Sequence, residues 1–398
     1  MNNSDWQTRG DQVFIETYSR FPAAMVKGEG CRLWDAEGRE YLDFLAGIAV
    51  CSLGHCHPAV TAAIREQAGR VVHISNLFHS PPQIELAELL VANTFADRVF
   101  MGNSGAEANE AAIKLARIHS APGRYQIISL EGSFHGRTLA TVAATGQPRF
   151  HRGFEPLPDG FIQAPFNDIQ ALERCIGKRT CAVLCEPIQG ESGVLPLDKK
   201  YLGAIRELCD RHGLLLIFDE VQTGMGRTGR LFAYEELGVV PDIMTSAKAL
   251  GNGLPIGAML TRESIAASLG VGTHASTFGG NPVAAAAAVA VLRTMLADGF
   301  FAGVRRRGQY LADRLGELSR RFPGLTSDVR GRGLLLGMVL TPAGVEVGPA
   351  LVQRMFEEGV LINFAGNRVL RFAPPLTVSE AEIEVMLERL TGVLEEFS

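Results

Sequence analysis

Five consecutive apolar residues, Leu214-Leu215-Leu216-Ile217-Phe218, run straight into Asp219-Glu220-Val221-Gln222. A run so short and so apolar reads as a buried strand. Further strands are expected at Arg98–Met101, Gln126–Leu130, Ala182–Cys185, Ile243–Thr245 and Ile256–Leu260. Helical patterns such as Glu107–His119 and Lys199–Arg211 fall between them, and that alternation is the signature of a parallel α/β sheet. From about Pro282 the character changes. Amphipathic helices (Pro282–Leu296, Gly303–Arg321) precede short strands at Leu334–Leu340, Val360–Asn363 and Val369–Phe372. A last helix opens on the capping box Ser379-x-x-Glu382. The expected organisation is a large α/β domain over 61–282 and a smaller α+β domain over 283–398. An N-terminal segment, 1–60, reads as a small hairpin meander around Gly30–Phe44 that packs on the small domain.

Composition narrows the function. The 398 residues are 46% hydrophobic and 20% charged, ample for a core. A net charge of -5 with no basic block argues against nucleic acid as a main partner. Arg305-Arg306-Arg307, the densest basic run, reads as a solvated helix face. Seven scattered cysteines suggest no disulfide framework and suit a reducing compartment. His55-Cys56-His57, followed at once by Pro58, reads as a buried turn rather than a metal site. The longest apolar stretch, Val283–Leu292, is alanine-rich and too short to span a bilayer, and Met1–Gly10 has no apolar signal core. A cytoplasmic protein with no membrane contact is expected.

The chemistry concentrates at a few positions. Lys248 lies on a glycine-flanked loop, Thr245–Gly253, shortly after Asp219. A pyridine-aldehyde cofactor needs this pair: a carboxylate to keep the ring nitrogen protonated and an amine to form a Schiff base. Either residue alone reads as a solvated turn or a surface charge. Gly102-Asn103-Ser104-Gly105-Ala106-Glu107-Ala108-Asn109 follows a strand and opens a helix. The amides of Gly105 and Ala106 suit a phosphate, and a plain strand-to-helix turn capped by Ser104 is the equal alternative. Gly224-Met225-Gly226-Arg227-Thr228-Gly229 has the dinucleotide-binding spacing. Four residues, Glu220 to Thr223, separate it from the strand, and no acidic strand end follows about twenty residues later. It reads as a loop bordering the site.

Together these stretches resemble the ordered motifs of the class III pyridoxal-phosphate aminotransferases. The resemblance rests on Asn103–Asn109, Phe134–Thr138, Glu186–Glu191, Asp219–Gly229, Lys248–Gly251, Ser276–Pro282 and Arg371–Leu376, and it covers essentially the whole chain. It implies the fold-type I architecture of aspartate aminotransferase, with a mostly parallel seven-stranded sheet, and pyridoxal 5'-phosphate as cofactor. By resemblance, Lys248 and Asp219 are catalytic. Ser104, Gly105, Ala106, Phe134, Val221, Gln222 and Thr277 join them in binding the cofactor, with Phe134 and Val221 on the two ring faces and Gln222 near the phenolic oxygen. Ser276 and Thr277 would reach in from the second subunit of a homodimer. Arg137, Glu191, Ser276 and Arg371 would serve substrate. Arg371 receives an α-carboxylate, Glu191 neutralises Arg371 when a terminal-amine donor occupies the site, and Arg137 binds the distal carboxylate.

The similarity is greatest to members that use Nα-acetylornithine and 2-oxoglutarate in arginine biosynthesis. Succinylornithine, ornithine, 4-aminobutyrate and N-succinyl-diaminopimelate remain alternative donors. Ile48 favours an acylated donor, because ornithine-specific relatives carry a tyrosine suited to a free α-amino group; Ile48 as plain core is the other reading. Two rivals stand outside the class: a nicotinamide oxidoreductase built on 224–229, and a non-catalytic protein on the same fold.

Overall fold

The computed structural model describes residues 1–398. Its centre is a seven-stranded sheet whose strands lie in the order Arg98–Gly102, Gly257–Thr261, Ile243–Ser246, Leu215–Asp219, Thr180–Cys185, Gln126–Leu130, Phe161–Ala164. All neighbours run parallel except Gly257–Thr261, which is antiparallel to both of its partners. The middle strands are buried almost throughout, so their sequences show no apolar–polar alternation. Six of the seven match the sequence reading to within one or two residues. The seventh, Phe161–Ala164, went unread: it is a half-buried edge strand of four residues. Asp219 proves to be the last residue of its strand. It therefore stands at the carboxyl end, where open α/β sheets place ligands.

The C-terminal region carries an antiparallel sheet ordered Thr326–Arg332, Leu335–Leu340, Val369–Phe372, Asn363–Ala365. The run read as one strand, Val360–Asn363, divides between two sheets. Val360–Leu361 pairs parallel with Glu40–Asp43 of the N-terminal meander, while Asn363–Ala365 pairs with Val369–Phe372. The helix Pro282–Met295 packs on Pro58–Ala68 and Pro81–Ala92. The chain then bends by 76° into Phe300–Arg321. No single helix is long and apolar enough to cross a membrane.

Three local readings are corrected. Cys56, within the His55–His57 turn, is exposed and left-handed (φ 51°) rather than buried. No group of His, Cys, Asp or Glu is arranged to hold a metal ion. Arg305 and Arg307 are more than a solvated face, because their guanidinium groups donate to the carbonyls of Gly229 and Leu376. Ile48 is 41% exposed and not core. It lies in a run, Ala46–Ala49, whose four φ angles are all positive, a conformation unfavourable for a β-branched residue.

Candidate active site

The carboxyl end of Leu215–Asp219, the turn after Ile243–Ser246 and the start of the helix Gly105–His119 line a cavity of about 330 Å³. Asp219 is buried within it. Its Oδ2 accepts from Asn109 Nδ2 at 2.7 Å and from His135 Nδ1 at 2.8 Å, and its Oδ1 accepts from the Val221 amide at 3.0 Å. His135 Nε2 is buried without a partner. Because a carboxylate oxygen only accepts, the contact puts a proton on His135 Nδ1. Asp219 is thus a carboxylate held by hydrogen-bond donors, with no arginine or lysine paired to it.

Lys248 opens a short 3₁₀ turn in the left-handed region (φ 44°), a strained state for a side-chain-bearing residue. Burial of its amine pushes the pKa below the ordinary lysine value, against the opposing pull of Glu191 and Asp219. A lysine so shifted is a nucleophilic amine. Glu186, also on the cavity wall, accepts from the Phe134 amide at 3.0 Å. Burial, reinforced by Asp219, drives its pKa well above the usual carboxylate range. Sequence reasoning gave Glu186 no role, since its motif offered no signal beyond its place in the series.

Arg371 is only 1% exposed and bonds Glu191 Oε1 at 2.7 Å. It also donates to Asn363 Oδ1 and the Gly190 carbonyl, and its Nη2 is buried without an acceptor. Burial raises the Glu191 carboxyl, but Arg371 more than offsets this and holds it below its usual range. Gln222 bridges the pair, accepting from Arg371 and donating to Glu191, each at 3.2 Å. A Cβ on Gly190 would collide with the Gln222 amide, so that bridge requires glycine.

Ser104 caps the helix Gly105–His119, its Oγ accepting from the Glu107 amide. The amides of Gly105 and Ala106, in the first turn, have no intrahelical acceptor. A Cβ on Gly105 would stand 2.8 Å from Val221 Cγ1, so this glycine lets the helix start press against Val221. Phe134 also lines the cavity and meets Phe150 edge-on.

Lys248, Asp219, Ser104, Gly105, Ala106, Phe134, Val221, Gln222 and Glu191 thus share one cavity, with Arg371 bonded to two of them. Three expected residues stand apart. Arg137 is exposed, its guanidinium lying over the ring of Phe150 at 4.0 Å. Ser276 and Thr277 line a separate surface groove. Sequence reasoning missed Asn109 and His135 as partners of Asp219, although both lie inside the motifs it singled out.

The cavity fits a pyridine-phosphate cofactor. It joins a helix start with free amides, a carboxylate with no arginine or lysine paired to it and a low-pKa lysine. The glycine loop at 224–229 does not fit a dinucleotide. All six of its residues are buried, and a Cβ on Gly226 would strike Leu376 at 2.8 Å. Arg227 is fully buried and donates to the carbonyls of Leu334 and Pro374 and to Ser52 Oγ.

Residues 14–394 match the family model for class-III aminotransferases. An acetylornithine aminotransferase of Caldanaerobacter subterraneus is 50% identical over 389 residues, covering 97% of this chain and 98% of the relative. One from Myxococcus xanthus is 52% identical over 93% of this chain and 92% of its own length. Among solved structures, an ornithine aminotransferase from Toxoplasma gondii superposes with a TM-score of 0.95 at 34% identity, covering 100% and 96% of the two chains. An N-acetylornithine aminotransferase from Stenotrophomonas maltophilia gives 0.84 at 41% identity, covering 98% of each.

Proposed function

The chain belongs to the class-III aminotransferases, and we propose that it moves the terminal amino group of Nα-acetylornithine to 2-oxoglutarate, giving N-acetylglutamate 5-semialdehyde and glutamate. The relatives at about half identity over nearly the full length are acetylornithine aminotransferases, which favours that donor. The observation that carries the reading is the buried Arg371–Glu191 pair, with Glu191 on the wall of the lysine cavity. A terminal-amine donor presents only methylenes beside Arg371, and a bare buried guanidinium there would cost several kcal/mol. Glu191 neutralises it. Glutamate brings its own carboxylate, so Glu191 must then release Arg371, and its 27% side-chain exposure leaves it room to move toward water.

Pyridoxal 5'-phosphate, the cofactor of the class, supplies an aldehyde that takes up the amino group and a ring that withdraws electrons from the adjoining carbon. With the cofactor bound, Lys248 would hold its aldehyde and move a proton between substrate and cofactor. The Asp219 carboxylate would hold the proton on the ring nitrogen. Val221 and Phe134 would flank the ring, Gln222 would bond its phenolic oxygen, and Ser104, Gly105 and Ala106 would bind the phosphate. Arg137 receives the distal carboxylate after swinging from its stack on Phe150.

Ser276 and Thr277 complete the site in a second copy. Exposed apolar residues beside their groove support a homodimer: Leu77 (86% exposed), Phe78, Val271 and Phe278 (58%) are too much uncovered hydrophobic surface for a monomer. Seven free cysteines suit a reducing compartment and support a cytoplasmic enzyme, and the proposed donor belongs to arginine biosynthesis.

The test is a single-turnover measurement on purified holoenzyme, with Nα-acetylornithine and ornithine added separately while the visible absorbance of the lysine-bound cofactor is followed. Rapid bleaching by the acetylated donor is expected. Faster bleaching by ornithine refutes the donor assignment, and activity retained in Lys248→Ala refutes the chemistry.

A further inference from the structure

We infer that Asn109 is a positioning residue for the reaction. Clamped by Thr245, its amide fixes the Asp219 carboxylate in both orientation and charge state. The inference deepens the transaminase reading and rests on it.

Asp219 and Thr245 are register partners at the ends of two adjacent parallel strands. Asn109 reaches across both. Its Oδ1 accepts from Thr245 Oγ1 at 2.8 Å, and its Nδ2 donates to Asp219 Oδ2 at 2.7 Å and to the His135 carbonyl at 2.8 Å. The amide cannot be turned over. Both neighbours of Nδ2 are acceptors, and Oδ1 in that place would face a carboxylate and a carbonyl. Asn109, Thr245 and Asp219 are all at least nine-tenths buried, so no water can replace a lost bond at bulk cost.

Asn109 also stands about one turn along the helix whose first amides would take the phosphate. One rigid helix thus sets the spacing between the anion site and the carboxylate at the opposite end of the cofactor. Because the amide is neutral, it stabilises the Asp219 anion without spending its charge, which stays available to a pyridinium.

The test compares parent, Asn109→Asp and Thr245→Val holoenzymes, reading kcat and KM from pH 6 to 9, the visible absorbance of bound pyridoxal phosphate, and the melting temperature. In Asn109→Asp the new carboxyl and Asp219 share one proton at the acid end, and the protonated carboxyl donates as the amide did. As that proton leaves, two anions face each other. The expected result is a new alkaline limb, with kcat falling at least tenfold relative to parent and the cofactor absorbance shifting over the same interval. His135, Glu186, Glu191 and Lys248 also face Asp219 or the cavity, but they are common to parent and variant, so only the added limb counts. Thr245→Val should lower kcat three- to tenfold at unchanged KM and fold as the parent does; it decides the matter if Asn109→Asp does not fold. Parallel pH profiles, or a Thr245→Val enzyme within twofold of parent, overturn the inference. A parent without a visible cofactor band overturns the transaminase reading itself, and the inference with it.

Discussion

Replacing Glu191 with glutamine isolates the switch between the two half-reactions. The carboxylate lies 2.7 Å from a guanidinium that is only 1% exposed. Two unit charges at about 4 Å attract by about 4 kcal/mol at an effective dielectric of about 20. Glu191 is 27% exposed on its side chain and therefore partly hydrated in either state, so roughly half of that survives. Glutamine keeps a hydrogen bond to Arg371 and removes the charge. The acetylornithine half-reaction should then slow by about 2 kcal/mol, or about 30-fold. The glutamate half-reaction should hold its rate or gain slightly, because Arg371 no longer has to be freed from an anion. Rapid mixing of holoenzyme with each amino donor in turn, following loss of the visible band, gives the two rate constants directly. Equal losses in both would refute the neutralising role. The pH direction adds a constraint. Arg371 holds the Glu191 carboxyl below its ordinary value, so the pair's contribution is present above that ordinary value and is lost only as pH falls through the lower, folded one. The donor preference should therefore be flat from pH 6 to 8.

Three further outcomes follow from packing and burial. Gly105→Ala places a Cβ 2.8 Å from Val221 Cγ1; calorimetry should show about 1–3 kcal/mol of overpacking, and cofactor titration a weakened affinity, with an unchanged affinity counting against the close approach. Glu186→Gln should raise the melting temperature by an increment that grows from about pH 4.5 upward, because the unfolded chain ionises first and the buried carboxyl is kept protonated; a pH-independent difference would contradict this sign. Arg227→Ala should cost about 3–5 kcal/mol in urea unfolding, since it opens a cavity and leaves two carbonyls and a hydroxyl without their donor, and a loss under about 1 kcal/mol would show that the loop is held by other contacts.

What the sequence made legible was whatever depends on a single segment. Leu214–Phe218 could be read as a strand because burial on both faces leaves no polar position in it, and the Ser379–Glu382 capping box forms as its spacing requires. Edge strands escaped for the converse reason. Thr326–Arg332 presents Ser327 and Asp328 to solvent, and its apolar positions are too few to show a period. The partners of Asp219 escaped differently. Asn109 and His135 each belong to a visible motif, but their convergence on one carboxylate depends on a helix and a loop meeting across the register of two strands. No local pattern encodes that register.

The glycine run at 224–229 makes the same distinction from the other side. Its spacing correctly signals that something approaches the backbone closely at Gly224, Gly226 and Gly229. In a dinucleotide site the approaching group is a pyrophosphate. Here it is the protein itself: the Glu220 carbonyl and Phe232 at Gly224, Leu376 at Gly226 and the Arg305 stem at Gly229. Arg227, between those glycines, then binds carbonyls from two segments of the C-terminal region. Glycine spacing therefore states that Cβ atoms are forbidden and leaves open what forbids them. For this chain the answer is a joint that fixes the C-terminal sheet, and with it Arg371, against the strand that ends in Asp219.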